Sequence, residues 1–447
     1  RQIIYTLKNK KSMQKLTIKN IGAIKLVEFE VNRINVFMGP QSSGKSTISK
    51  ILCHCQWVEK TCFLNDKQLE NYQKQGVFYD SLVEYHKLDG YFHKNASIKY
   101  EGEAMTITYT HSSKKTTIKL NDKMIFSYPK ICYIPSERNF VAGVPNFSKY
   151  NEGNNVLLYF AYDWSEAKED IKKLDISNLL SREVSYENIN DKDYIFDNGS
   201  KLLLTNASSG VQSVLPLYQT IIYMLSNLYK KQRALSPSKE MARKDFANEM
   251  IMVANRIADG ENISNFKKHS NILISMFKML ESYDVKAINK FSDLPPKELS
   301  HNIYEAVHVL DRLFNYHFTQ LFIEEPEQNL FPDTQQEFVY WLLEIMQNDK
   351  KHAAIITTHS PYILFALNNC MMGGLVRDNI PEEEVSDFAS HSAWINPKLV
   401  SVFELDNGTL RCVQDEDGII EDNYLNTAYK KNSEEYLKLL NYYEDEE

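Results

Sequence analysis

The chain has 447 residues, more than one hydrophobic core usually covers, so one large body carrying an inserted or appended lobe is expected. An apolar fraction of 43% suffices for a packed interior, and no run approaches the ~20 apolar residues of a membrane span. A formal charge of −8 excludes a surface that grips nucleic acid throughout, because such binding rests on Lys and Arg against phosphate.

The N-terminal residues lack the charged region, apolar core and cleavage site of a secretory leader, so none is expected. Six cysteines in so long a chain fit reduced thiols, and hence a cytoplasmic protein, better than a disulfide framework. Cys53, His54, Cys55 and Cys62 invite a zinc reading. They fall on an expected helix where residues two apart point in different directions, so no metal is assigned to them.

Two β-like runs, Leu16-Thr-Ile-Lys and Lys25 to Val31, flank the turn at Asn20-Ile21-Gly22, and a third, Ile34 to Met38, leads into a glycine-rich loop. Ile48 to Trp57 reads as helix, whereas Ser97 to Tyr109 and Thr116 to Phe126 alternate like the two arms of a hairpin. Lys130 to Ile134 reads as a buried strand. Between Gln212 and Leu225 the apolar residues Leu215, Tyr218, Ile222 and Leu225 recur at helical spacing, just after Ser209-Gly210. Residues 226–300 turn polar and helix-prone and carry most of the clustered basic residues, the pattern of a helical insertion. Thr319 to Ile323 and Ala353 to Thr357 read as strands with an amphipathic helix, Gln335 to Met346, between them: a βα unit of a parallel sheet. Asp406-Asn407-Gly408 centres a hairpin, and an acidic helix follows from Asn426. The expected divisions are 13–145, 146–225 (a helical lobe), 226–300, 301–397 and 398–447.

Gly39-Pro-Gln-Ser-Ser-Gly44-Lys45-Ser46 follows a strand and opens a helix, the context that a phosphate-binding loop needs. Its glycines let the backbone N–H groups face phosphate, Lys45 reaches the β- and γ-phosphates, and Ser46 offers an oxygen to Mg2+. Gly39, Gln41, Ser42, Ser43, Gly44, Lys45, Ser46 and Thr47 are therefore the expected nucleotide-binding loop. Leu321-Phe-Ile-Glu324-Glu325-Pro326 runs a strand into adjacent carboxylates, of which Glu324 is assigned to Mg2+ and Glu325 to the attacking water. His359 ends another buried strand and should project toward the same crevice. Ser208-Ser209-Gly210-Val211-Gln212 opens a helix and presents N–H groups and a hydroxyl to an anion, with Ser209, Gly210 and Gln212 as the expected contacts.

In this order the four elements resemble the Walker A, signature, Walker B and switch-histidine set of ABC-type P-loop ATPases. Glu-Glu-Pro-Glu, Ser-Ser-Gly-x-Gln and Thr-Thr-His-Ser are similar to the RecF/SMC-like group that includes the overcoming-lysogenization-defect (OLD) AAA ATPases. The resemblance implies an α/β fold with a mixed or parallel sheet, an antiparallel β subdomain, a helical lobe and a helical insertion. It further implies ATP and Mg2+ as ligands, and a head-to-tail dimer in which Ser209 and Gly210 of one copy close on the phosphate held by Lys45 of the other. Val211 and Ser208 depart from the signature, and Tyr133-Ile-Pro-Ser-Glu137-Arg138 stands where a glutamine is usual. For Glu137 and Arg138, contact with Mg2+, coupling to a partner and a plain salt bridge all remain open.

The OLD nucleases add a TOPRIM domain, for which the tail after Pro397 is too short; Asp415-Glu-Asp417-Gly418 reads as an acidic turn. The first functional expectation is an ATPase subunit that controls a separate effector, for instance a nuclease, in prokaryotic anti-phage defence, as in PARIS or Septu-type systems. The second is a repair or chromosome ATPase that binds DNA through Lys230, Lys231, Arg233, Arg243, Lys244, Lys267 and Lys268. A binding scaffold with a degenerate site ranks last, since Lys45, Glu324, Glu325 and His359 are all present.

Overall fold

A computed structural model describes residues 14–63, 65–121, 127–144, 153–180, 182–230, 237–261, 316–348 and 350–442, without the side chains of 66, 237–247 and 428. Strands β1 (Gln14–Ile21), β2 (Ile24–Val31) and β3 (Ile34–Met38) precede helix α1 (Lys45–Phe63). Then come α2 (Asp66–Gln73), α3 (Val77–His86), β4 (Phe92–Glu101), β5 (Met105–Thr110), β6 (Lys115–Leu120) and β7 (Pro129–Ile134). Helix α4 (Val156–Asp170) is followed by β8 (Lys173–Asp175), β9 (Val184–Ile189), β10 (Lys192–Asp197) and β11 (Ser200–Leu203), then by α5 (Ser209–Ile222) and α6 (Pro237–Ala258). The chain closes with β12 (Phe318–Glu324), α7 (Pro332–Ile345), β13 (Ala353–Thr357), α8 (Pro361–Val376), β14 (Val400–Asp406), β15 (Thr409–Cys412) and α9 (Tyr424–Leu440).

One eleven-stranded sheet, in the order β6-β5-β4-β1-β2-β15-β14-β3-β13-β12-β7, runs through the molecule. Its β14-β3-β13-β12-β7 part is parallel, and β3 and β13 are buried at every residue, as strands covered on both faces must be. Alternate side chains divide the interior. Phe37, Phe322 and Ile355 join the core under α1, whereas Val36, Leu321 and Ile356 join the core under α5, α7 and α8. The other end of the sheet is antiparallel and only half-buried; β1 and β2 alternate buried and exposed residues. This is the expected α/β class with a mixed sheet and an antiparallel β part.

Three elements differ from expectation. Gly102 turns the chain through Gly102 N–H to Met105 O (2.8 Å), so the stretch from Ser97 to Tyr109 is itself two strands and the hairpin becomes a three-stranded meander. Residues 122–126 lie outside the described residues. The segment 146–225 holds α4 and α5 but also a four-stranded antiparallel sheet, β11-β10-β9-β8. Helix α5 starts at Ser209 and gives way to a π-helical turn, Tyr223–Asn227, where Thr319 Oγ1 donates to Met224 O at 2.6 Å. Of the 226–300 insertion, α6 is described, and it buries Met250, Val253, Ala254 and Ile257 in the α1 core; 262–300 lie outside the described residues.

Candidate functional site at the C-terminal edge of the parallel strands

β3, β12 and β13 end side by side, and each delivers its motif to that edge. Gly39 (φ 143°), Ser42 (φ 59°) and Gly44 (φ 108°) give the loop after β3 a left-handed course, and α1 begins at Lys45. A Cβ on Gly39 would lie 2.4 Å from the Leu405 carbonyl oxygen, so the hairpin β14–β15 packs directly against the loop and only glycine fits there. Lys45 is buried. Its Nζ donates to the carbonyls of Gly39 (2.9 Å) and Pro40 (2.8 Å) and lies 3.5 Å from Ser43 Oγ. Burial brings its ammonium down to about 8, opposed by the carboxylates of Glu325 and Glu327. Curled backbone, helix N-terminus and amine together fit a polyphosphate.

At the end of β12, Glu324 is 3% exposed; its Oε1 accepts the Tyr133 hydroxyl at 2.7 Å and its Oε2 lies 3.5 Å from Ser136 N. Glu325 is half-buried and adopts φ +43°, a region that non-glycine residues avoid. Its Oε1 lies 3.6 Å from His359 Nε2, and the imidazole, followed by Lys45 and Arg138, holds this carboxyl below the ordinary range against its partial burial. The sequence-expected residues Lys45, Glu324, Glu325 and His359 thus gather at one edge.

Two residues complete the edge that sequence reasoning left without a role. Glu327 Oε1 accepts the His359 backbone N–H at 2.6 Å, which ties the β12 loop to the β13 loop; burial raises this carboxyl, and its Oε2 is buried without a partner. Arg138 is completely buried. Its guanidinium donates to the carbonyls of Glu324 (2.9 Å), Glu325 (2.9 Å), Pro326 (3.2 Å) and Pro135 (3.4 Å). It grips the backbone on which both carboxylates are mounted, and burial brings it down to about 10. Neither metal contact nor a salt bridge describes it. Glu137, its neighbour, is exposed and accepts from Ser136 Oγ at 3.1 Å.

The signature segment stands on α5. Ser208 caps the helix, with Oγ accepting Val211 N–H at 3.4 Å, and Ser208 and Ser209 are exposed. A Cβ on Gly210 would lie 3.0 Å from Asn329 O, so this segment abuts the loop after the carboxylates of its own chain. Gln212 Nε2 donates to Leu204 O (3.2 Å) and Thr205 O (3.0 Å), so its amide is spent on holding the preceding turn. Cys53, Cys55 and Cys62 are buried in the α1 core and His54 Nε2 lies 3.2 Å from Ser81 Oγ. No described helix is long and apolar enough to cross a membrane.

Residues 313–364, which include the paired carboxylates and His359, match the family model described as the AAA ATPase domain. No curated protein matches the sequence. Among solved structures the chain is similar to the SMC head domain from Thermotoga maritima at 12% identity, with 90% of this chain and 99% of that one covered and a TM-score of 0.35. It is similar also to the recombination mediator RecF in the RecFOR pathway (9% identity, 90% and 98% covered, TM-score 0.28) and to the ABC transporter cassette MJ1267 (13% identity, 94% and 99% covered, TM-score 0.26).

Proposed function

We propose that this chain binds and hydrolyses ATP at the shared edge of β3, β12 and β13, and that two copies, head to tail, use the cycle to switch a separate effector protein. The observation that carries the reading is the meeting of Lys45, Glu324, Glu325 and His359 at the ends of three adjacent parallel strands, with Glu325 and His359 3.6 Å apart. The AAA ATPase match over the same carboxylates and histidine supports it.

In this reading Lys45 leaves the Gly39 and Pro40 carbonyls to bind the terminal phosphates, and Gly39 to Thr47 wrap the rest of the triphosphate. Ser46 and Glu324 hold Mg2+, which when bound neutralises phosphate charge. Glu325, kept ionised by its neighbours, orients and deprotonates the attacking water, and His359 steadies that carboxylate. Because Ser209 stands exposed at the start of α5, it can close with Gly210 on the nucleotide of a second copy. The motif run Glu-Glu-Pro-Glu, Ser-Ser-Gly-x-Gln and Thr-Thr-His-Ser supports an OLD-related ATPase, and the resemblance carries the reading of a role in anti-phage defence.

Complementation tests the shared site. Lys45→Ala and Ser209→Arg chains, each inactive alone, should recover about a quarter of wild-type turnover when mixed equally, since half the dimers then carry one intact site. No recovery, with both variants folded, would mean that each chain completes its own site. Salt-sensitive binding of plain duplex DNA by the chain alone would favour direct action on DNA.

A further inference from the structure

A cavity of about 390 Å³ opens between α1, α3, α4 and β7, on the far side of Tyr133 from Glu324. Its mouth is flanked by Trp57 and Tyr159, 44% and 46% exposed, and its volume is that of a small-molecule pocket. Deep in the lining, His86 is 1% exposed and neither ring nitrogen has a hydrogen-bond partner. A buried imidazole with both nitrogens idle is costly to keep, and a bound molecule would relieve that cost. The ring packs against Tyr85 (centroids 4.7 Å apart) and Tyr133 (5.5 Å), so a guest reaching its nitrogens also meets flat aromatic faces.

The lining defines the guest. Lys130 and Asp163 neutralise one another at 2.7 Å, and the other charged groups of the lining, Lys60 and Glu84, are of opposite sign, so the lining carries no net charge for an ion. Burial pushes His86 and His54 far down, so both are neutral at physiological pH; His54 Nε2 is engaged with Ser81 Oγ, whereas the neutral His86 ring offers one donor and one acceptor. Among the described residues no group of three His, Cys, Asp or Glu is placed to hold a metal. A flat, uncharged ring with both donor and acceptor edges satisfies all of this.

We propose that the cavity beside His86 is a binding site for an uncharged nucleobase or nucleoside, and that its occupancy acts on Glu324 through Tyr133. The Tyr133 ring lines the cavity and its hydroxyl donates to Glu324 Oε1 at 2.7 Å, so a guest stacked there bears on the carboxylate proposed to hold Mg2+. The link to Glu324 rests on the ATPase reading; the binding does not.

Calorimetry and saturation-transfer NMR of the full chain against the free bases and their nucleosides, none carrying phosphate, test the site. At least one should saturate with a Kd below about 1 mM. His86→Phe keeps the ring volume and removes both nitrogens; it should weaken that binding about tenfold or more without lowering the melting temperature. Ser81→Phe, which fills the cavity from α3, should do the same if the first variant folds poorly. Lys45→Ala should leave the binding intact. Failure of every base and nucleoside to bind, unchanged affinity in the folded variants, or loss in Lys45→Ala would overturn the site. Wild-type ATP turnover unchanged under saturating guest would overturn the link to Glu324. A wild-type chain that turns over no ATP would instead sink the ATPase reading and leave the binding isotherm standing.

Discussion

Glu324 and Glu59 are both buried carboxylates that accept a tyrosine hydroxyl, yet one end of the sheet uses its acid for structure and the other leaves it available. Glu59, 1% exposed under the antiparallel meander, accepts from Tyr100 (2.6 Å), Ala104 N (2.7 Å) and Met105 N (3.2 Å). A Cβ on Gly102 would lie 2.3 Å from its Oε1, so the turn between β4 and β5 is moulded on it. Both of its oxygens are engaged by short hydrogen bonds within the fold. Glu324 has a single short bond, from Tyr133, and a 3.5 Å contact to Ser136 N, while Arg138 holds its backbone rather than its carboxylate. Burial alone therefore does not mark a reactive acid. What remains unsatisfied once the fold has taken its share does.

Conservative replacement of each acid separates the two. Glu324→Gln should lower ATP turnover about 100-fold or more, since the anionic ligand proposed for Mg2+ is lost, while stability changes little. Comparable turnover in wild type and variant would remove Glu324 from the site. Glu59→Gln should leave turnover unchanged and alter the pH dependence of stability. Burial raises Glu59 to about 7, above its unfolded value, so its contribution is fully present below about pH 4.5 and is lost as pH rises through 7. Wild-type melting temperature should therefore fall between pH 5 and 8, a loss on the order of 2 kcal/mol, and the glutamine variant should flatten that slope. An identical slope in both would show that other groups set it.

The parts of this edge that sit next to one another in sequence were legible as sequence. A strand, Gly39 to Ser46 and the start of α1 form one continuous signal, and so do β12 with its two glutamates and β13 with His359. Arg138 was not legible, because its partners are backbone carbonyls of residues 324–326, which no side-chain pattern encodes. Tyr133 was likewise hidden, since a tyrosine in a buried strand reads as core until Glu324 is seen opposite. The small sheet was missed for another reason. β9 and β10 bury only Val184, Tyr186 and Ile195, too few for a clear alternation. Yet Asn198-Gly199 (φ 47° and 79°) is the same hairpin signal as Asn407-Gly408 (φ 48° and 82°), which was read correctly, and would have found it.

The most direct test of the account compares wild type with Glu325→Gln, measuring ATP turnover and solution mass with ATP and Mg2+. Removal of the proposed base should slow hydrolysis about 10²- to 10⁴-fold and accumulate a species of at least twice the chain mass, held together by uncleaved ATP. Turnover and mass both equal to wild type would contradict the assignment of Glu325 and the nucleotide-gated dimer together.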